Sequence, residues 1–100
     1  MDMRYKIKYI STFHADIIDV LAFLDEHPGK AKRIFEKMDN ILISLPEMPE
    51  MYPLYDDFPI FRKIVIEDYL VFYAVDQRGT IEIHRLLYGG TDVQNRLTRK

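Results

Sequence analysis

Three side chains in the C-terminal half of the chain have the chemistry needed to act on a phosphate. Arg62 and Arg85 fall on adjacent or next-adjacent predicted strands, and Tyr88 lies just before a pair of glycines. Two guanidinium groups can bind one phosphate through paired hydrogen bonds, and a tyrosine can donate a proton or stack on a base. Arg62, Arg85 and Tyr88 are therefore candidate catalytic residues. The alternatives are ion pairs at the sheet rim for the arginines and closure of the core for the tyrosine.

The histidines suggest no metal or cofactor chemistry. His14, His27 and His84 show no metal-ligand spacing, and the chain contains no cysteine. This composition excludes thiolate zinc sites, disulfides and cysteine nucleophiles. His84 alternates with Glu82 on one predicted strand and could act as a general base, although a structural histidine is the favoured interpretation. The sequence has no glycine-rich phosphate loop and no dinucleotide fingerprint, so we predict no metal and no cofactor.

Arg85 raises a question of side-chain direction. It alternates with Ile81, Ile83 and Leu87, so a regular strand would place it on their apolar face. Either Arg85 lies at the edge of that face, or a β-bulge redirects it. An arginine buried in either position needs a carboxylate partner, because an unpaired buried charge is strongly unfavourable.

Length and composition limit the classes of function. The chain has 100 residues, of which 48% are hydrophobic and 30% charged, and we predict one domain over residues 1–100. Its net charge is −2, whereas a protein that binds nucleic acid mainly through phosphates is normally basic. No apolar run reaches the roughly 18 residues of a membrane span. We therefore expect a cytoplasmic protein with no membrane association and no strong direct nucleic-acid binding.

The N-terminal half predicts a strand followed by two helices. Basic and apolar residues alternate from Arg4 to Ile10, which is typical of a strand with one buried face. The first helix has a predicted core stripe of Ile17, Leu21 and Leu24, flanked by Phe13, Ile18 and Val20. The second helix has apolar residues at three- and four-residue spacing: Ala31, Ile34, Phe35, Met38, Ile41, Leu42 and Leu45. Only His27-Pro28-Gly29 separates the helices, so they should form an antiparallel hairpin.

The C-terminal half predicts a loop and then three strands. Residues 46–59 contain four prolines and are expected to form an extended loop without regular structure. Its larger apolar residues are expected to pack on the body of the protein: Met48, Met51, Tyr52, Leu54 and Tyr55. Turns are predicted at Glu67-Asp68 and at Gln77-Arg78-Gly79, and Asp92 could cap a short final helical turn that runs through Leu97.

The middle strand, from Tyr69 to Val75, is apolar on both faces, which predicts a central strand covered on both sides. The predicted fold class is α+β with the order β-α-α-β-β-β, in which a helical hairpin packs on a small antiparallel sheet. The chain has no further element to cover the second face of the sheet. That face should be partly open and available for binding.

The order and spacing of these segments resemble the RelE/ParE toxin superfamily of bacterial toxin–antitoxin modules, over nearly the whole chain. The segments that carry the resemblance are Tyr5–Tyr9, Ala15-Asp16-Ile17, Ala31–Met38, Leu45-Pro46, Tyr52-Pro53, Phe61-Arg62-Lys63, Asp68–Val75 and Ile83–Gly89. The resemblance implies a helical hairpin on a small antiparallel sheet, in agreement with the fold derived above.

The superfamily divides by target. RelE-like members cleave mRNA in the ribosome without a metal, through a cluster of basic residues with tyrosine or histidine, whereas ParE-like members inhibit DNA gyrase and are not nucleases. Of the RelE-type positions only Arg62 is basic here. The other positions fall on or near Ile64, Leu70, Thr91 and Leu97. The stretch from Arg85 to Asp92 is closer to the ParE-like pattern, with Tyr88 in place of the usual histidine, so the resemblance favours the non-enzymatic branch.

The resemblance implies the toxin of a type II toxin–antitoxin module, with roles in growth inhibition and plasmid stabilisation. A ParE-like toxin would act by protein–protein contact, with DNA gyrase as target, and would be neutralised by a cognate antitoxin whose disordered tail folds on it. The predicted partner-binding residues are Arg62, Tyr69, Tyr73, Arg85, Tyr88 and Asp92. Two alternatives remain open: a RelE-like, ribosome-dependent mRNA endoribonuclease, and an inactive family member that only binds antitoxin.

Overall fold

The computed structural model describes residues 5–98 and confirms the predicted α+β class. The elements are β1 (Lys6–Tyr9), α1 (Ser11–Phe23), α2 (Pro28–Ser44), β2 (Leu54–Tyr55), β3 (Phe58–Ile66), β4 (Tyr69–Val75), β5 (Thr80–Tyr88) and α3 (Val93–Thr98). The proline-rich segment, predicted to lack regular structure, contains the two-residue strand β2. Among the described residues, no helix combines the length and the apolar character needed to cross a bilayer.

The five strands form one sheet in the order β1-β5-β4-β3-β2. Strand β4 is central, as its two apolar faces predicted. Strand β1 pairs with β5 in parallel, with Lys6 opposite Thr80 and Tyr9 opposite Ile83, whereas the other pairs are antiparallel. The sheet is therefore mixed rather than purely antiparallel.

The main core lies between the helical hairpin and one face of the sheet, which we call the helix face. The buried residues of α1 are Phe13, Asp16 and Val20, with Leu24 buried directly after the helix, and those of α2 are Ile34, Met38 and Leu42. The predicted core position of Leu21 is wrong, because its side chain is 49% exposed, and its neighbour Ile18 is 67% exposed. The buried row of α1 includes Asp16. Because a hydrophobic pattern is searched for apolar residues, a row that contains an aspartate was not recognised as the buried side of the helix.

The opposite face of the sheet, the second face, carries a smaller apolar cluster. Its buried members are Phe61, Phe72 and Leu87, and Val93 and Leu97 of α3 pack against them. Tyr55 and Phe58, beside the β2–β3 turn, cover another part of this face. The face is therefore partly covered, and α3 supplies a cover that the sequence prediction had not assigned to it.

The proline-rich loop is held differently from the prediction. Met48, Met51 and Leu54 were expected to pack on the body, but their side chains are 59%, 58% and 49% exposed. Tyr52 packs against the main core and Tyr55 against the second-face cluster. The two tyrosines therefore anchor the loop, and the methionines do not.

The turn between β3 and β4 is bound to α2 by a set of ion pairs. Glu67 has a φ of 56° and accepts two hydrogen bonds from Arg33, at 2.7 and 3.0 Å, and one from Lys37 at 3.2 Å. Asp68 accepts from Lys30 at 2.9 Å. The hydrogen bonds from Arg33 are the main cause that lowers the pKa of Glu67 from 4.5 to about 2. The predicted turn at Glu67-Asp68 is confirmed, and it also joins the sheet to the hairpin.

Candidate functional site

A β-bulge decides where Arg85 points. Strand β4 pairs Phe72 with Arg85 and Tyr73 with Ile83, so His84 is an extra residue in β5. Ile83 and Leu86 therefore both reach the helix face, and Arg85 lies between them on the other side. Of the two possibilities that the sequence left open, the bulge is the one that occurs.

Asp16 is the carboxylate partner that a buried arginine requires. Arg85 Nε and Nη2 donate to the two carboxylate oxygens of Asp16 at 2.7 and 2.9 Å, and the backbone N–H of Leu86 donates to the same carboxylate at 2.9 Å. The side chains of Arg85 and Asp16 are only 12% and 4% exposed. Three donors satisfy the Asp16 carboxylate, which makes the burial of this charge tolerable.

Helix α1 brings Asp16 to this position because it continues along the edge of β5 where β1 ends. The N–H of Ile10 donates to the carbonyl of Ile83 at 3.0 Å, and the Thr12 hydroxyl donates to the carbonyl of His84 at 2.8 Å. Thr12 and Asp16 lie four residues apart on one side of α1. They provide the partners that a neighbouring strand would otherwise give to β5.

The remaining guanidinium nitrogen of Arg85 binds α3. This nitrogen, Nη1, donates to the carbonyl oxygen of Arg96 at 2.5 Å. We call the group formed by Asp16, Arg85 and the Arg96 carbonyl the arginine clasp. It joins α1, β5 and α3 through one side chain.

Arg62 occupies a different environment. Its Nη1 donates to the carbonyl oxygens of Tyr52 at 2.7 Å and Glu50 at 3.3 Å, so it fastens the proline-rich loop. Arg62 pairs with Tyr73, whose side chain is in the main core, whereas Arg85 pairs with Phe72 of the second-face cluster. The two arginines therefore project from opposite faces of the sheet. They do not converge on one phosphate.

The other predicted partner-binding residues divide between the core and the surface. Tyr69 and Tyr73 are 2% and 0% exposed, and burial raises the pKa of both hydroxyls. The Tyr73 hydroxyl donates to the carbonyl of Pro49 at 2.8 Å. Tyr88 is 45% exposed and packs its ring 5.7 Å from that of Tyr69. Asp92, also exposed, accepts a 2.6 Å hydrogen bond from the side-chain amide of Asn95 in α3.

A groove of about 250 Å³ opens between α1 and the end of β5. Its apolar lining residues are Val20, Phe23, Tyr69, Leu86, Leu87 and Tyr88. Asp16, Asp19, Thr91 and Arg96 supply its polar atoms. Of the predicted site residues, Tyr69 and Tyr88 line this groove, and Arg85 binds two residues that line it, Asp16 and Arg96. Arg62 and Tyr73 lie elsewhere.

The outer surface of α1 extends this apolar region. Ile18, Leu21 and Phe23 are 67%, 49% and 75% exposed, and Ala15 and Ala22 are exposed beside them. A helix that packs on one side only normally presents polar residues to water. Sequence reasoning missed this surface because it assigned Ile18 and Leu21 to the core. The signal that could have shown it is that α1 is apolar around most of its circumference.

The described residues contain no group of three or more His, Asp or Glu side chains placed to hold a metal ion. His84 Nε2 lies 3.6 Å from a carboxylate oxygen of Glu82, and the His84 ring packs against Phe61 at 5.1 Å. The predicted general base therefore has an aromatic neighbour and a carboxylate neighbour, which is also the environment of a structural histidine.

The fold and the site together define a class: a helical hairpin on a mixed sheet, with an apolar groove and an apolar helix surface suited to protein contacts. The sequence model of the family described as ParE toxin of type II toxin-antitoxin system, parDE, matches residues 7–93. That match covers most of the chain, so the chain belongs to the ParE toxin family.

A solved structure of similar fold comes from a chromosomal ParDE toxin–antitoxin system of P. aeruginosa. The two chains superimpose with a TM-score of 0.71 at 15% sequence identity, over 87% of this chain and 98% of the other. At this identity the likeness bears on the fold alone, over the part of the chain that superimposes. No curated protein matches the sequence.

Proposed function

We propose that this ParE-family toxin acts by binding a protein target, DNA gyrase, rather than by cleaving RNA, and that a cognate antitoxin neutralises it by covering its apolar surface. The proposal rests chiefly on the placement of the two arginines. Metal-free cleavage of RNA needs cations gathered around one phosphate, together with an acid and a base. Arg62 and Arg85 face opposite ways, and each already binds groups of its own chain.

The apolar outer surface of α1 supports the antitoxin part of the proposal. Exposed Ile18, Leu21 and Phe23 continue into the groove beside Tyr88. A contiguous exposed apolar region of this kind is typical of a protein-binding surface. The occupant that fits is an amphipathic helix of the antitoxin, which would lay its apolar side along α1 and insert a large side chain into the groove.

A supercoiling assay with purified gyrase and relaxed plasmid tests the target. We expect the toxin to block supercoiling, and cells that produce it without antitoxin to stop dividing and become filamentous. Primer extension on mRNA from the same cells provides the second arm. Cuts at codon positions with undisturbed supercoiling would contradict the proposal and favour the RelE-like alternative. Normal growth and normal supercoiling would leave an inactive member that binds antitoxin only.

The antitoxin part has its own test. The probe is the cognate antitoxin, which we expect to be encoded by a short reading frame beside the gene and to carry a DNA-binding segment and an amphipathic tail. We expect it to form a stable complex with the toxin and to restore growth. A complex that leaves α1 as exposed to solvent as before would contradict the assignment of the surface.

Action on gyrase would place the toxin in the cytoplasm, and neutralisation by a short-lived antitoxin would account for plasmid stabilisation.

A further inference from the structure

Helix α3 has few means of its own to stay in place. It has six residues, and isolated helices of that length are not stable in water. Val93 and Leu97 attach it to the second-face cluster. Arg85 adds a polar attachment, because it donates to the carbonyl of Arg96, which lies in the last turn of the helix. Carbonyl groups there have no partner within the helix and carry partial negative charge, so a cationic donor is favourable.

The groove depends on the same attachment. One wall is α1, represented by Val20 and Phe23, and the other includes Thr91 and Arg96. Arg85 binds Asp16 of the first wall with one side of its guanidinium group and the Arg96 carbonyl of the second wall with the other side. Because the guanidinium group is planar and rigid, it sets the spacing between the walls.

We infer that Arg85 is a positioning residue: acting through Asp16 and the Arg96 carbonyl, it holds α3 against the sheet and fixes the width of the groove that receives the partner helix. The second half of this inference rests on the proposed function. The first half concerns the toxin alone. Arg85 was predicted to touch a partner; here it shapes the groove from inside the molecule.

The decisive variant is Arg85→Lys in the full chain. Lysine keeps the positive charge beside Asp16, but its single nitrogen cannot occupy both the Nε/Nη2 side and the Nη1 side of the guanidinium group. Backbone ¹⁵N relaxation then measures the order parameter of each residue in α3 and in α2. We expect order parameters for residues 93–98 near about 0.85 in the wild type and below about 0.6 in the variant, with α2 unchanged. An α3 that is already disordered in the wild type, or unchanged in the variant, would overturn the inference.

Arg62→Lys is the matched control, since Arg62 also donates to backbone carbonyls, but on the other face of the sheet. It should leave residues 93–98 as ordered as in the wild type. Loosening of α3 in this control would show a general loss of rigidity rather than release of the clasp.

Partner affinity provides the second readout, with the purified product of the adjacent reading frame as the probe. We expect binding to Arg85→Lys to be roughly tenfold weaker than to the wild type. If α3 loosens and affinity is unchanged, the positioning role is wrong while the toxin assignment stands. If α3 loosens in the variant but the wild type inhibits no gyrase, the proposed target fails while the clasp stands.

A second variant keeps the inference testable if Arg85→Lys does not fold. Leu97→Ala weakens the apolar attachment of α3 and leaves the pair between Asp16 and Arg85 untouched. It should loosen residues 93–98 and reduce partner affinity in the same direction. Unchanged affinity with a loosened α3 would again contradict the positioning role.

Discussion

Helices α1 and α2 both pack on the helix face of the sheet, yet their outer surfaces differ in chemistry. The outer surface of α2 is charged, with Lys32, Arg33 and Glu36 exposed. The outer surface of α1 is largely apolar, with Ile18 and Leu21 facing water. Both helices bury an apolar row against the sheet, so the difference does not arise from the needs of folding.

The charges of the two helices also have different roles. On α2, Arg33 and Lys37 bind Glu67 and so attach the helix to the sheet from the solvent side. On α1, the carboxylate of Asp16 turns inward to hold Arg85 and the edge of β5. Helix α2 therefore uses polar residues at its surface for stability, whereas the exposed apolar residues of α1 form the surface that we propose binds the antitoxin.

The largest expected effect compares one isoleucine in each helix. Ile34 of α2 is fully buried, and Ile34→Ala should lower the free energy of unfolding by about 2–5 kcal/mol, because it removes buried surface and leaves a cavity. Ile18→Ala on the outside of α1 should change it by no more than about 0.5 kcal/mol. Urea denaturation followed by circular dichroism measures both. Similar losses in the two variants would mean that the outside of α1 is covered within the toxin itself.

The second prediction concerns partner binding. Leu21→Asp places a charge on the apolar surface of α1 and should weaken antitoxin binding by about 2 kcal/mol or more, roughly 30-fold. The matched control is Ile43→Asp on α2, where the side chain is 76% exposed. Both variants should unfold at nearly the same denaturant concentration as the wild type, and calorimetric titration gives the affinities. Equal weakening by both would remove the functional distinction between the helices.

The third prediction tests the surface charges of α2 through pH. The pKa of Glu67 falls from 4.5 to about 2 on folding, mainly through the hydrogen bonds from Arg33. Because the pKa of Glu67 is lower in the folded state, its ionised carboxylate contributes fully to the free energy of unfolding above the unfolded pKa near 4.5. That stabilisation is lost as the pH falls from 4.5 toward 2. The wild type should therefore melt above Glu67→Gln at pH 7, and the difference in Tm should close across that interval. A difference that persists at pH 2 would contradict this role for the ion pairs.

The same contrast explains how much of the fold the sequence could predict. Strand β4 was placed correctly because period-two alternation with two apolar faces has one simple solution, a central strand. Helix α2 was also placed correctly, since its charged residues and most of its apolar residues lie on separate sides. In α1 the apolar residues surround the helix, and the buried row contains Asp16. Pattern reasoning then selected Leu21, which faces water.

The site was less accessible to prediction for a related reason. The sequence left open whether Arg85 lies at the edge of an apolar face or is redirected by a bulge, and it required a carboxylate partner if Arg85 is buried. It could not say where the bulge lies, because a bulge is defined by pairing with another strand, here by the offset between Phe72 and Tyr73. The partner, Asp16, is 69 residues away in the chain. The parallel pairing of β1 with β5 could not be predicted for the same reason, because it joins residues far apart in the chain, such as Lys6 and Thr80.

The smallest expected effect is on the solvent side of α2. Lys32 and Glu36 form a pair with 3.9 Å between the charged atoms, and their side chains are 77% and 64% exposed. Pairs of this kind on a helix surface contribute only about 0.3 kcal/mol, because water and salt screen them. Lys32→Ala should therefore leave both the unfolding free energy and antitoxin affinity unchanged within error, by the same denaturation and titration measurements. A clear loss of affinity would mean that the antitoxin also contacts α2. The two helices would then differ in the composition of their outer surfaces, but both would bind the partner.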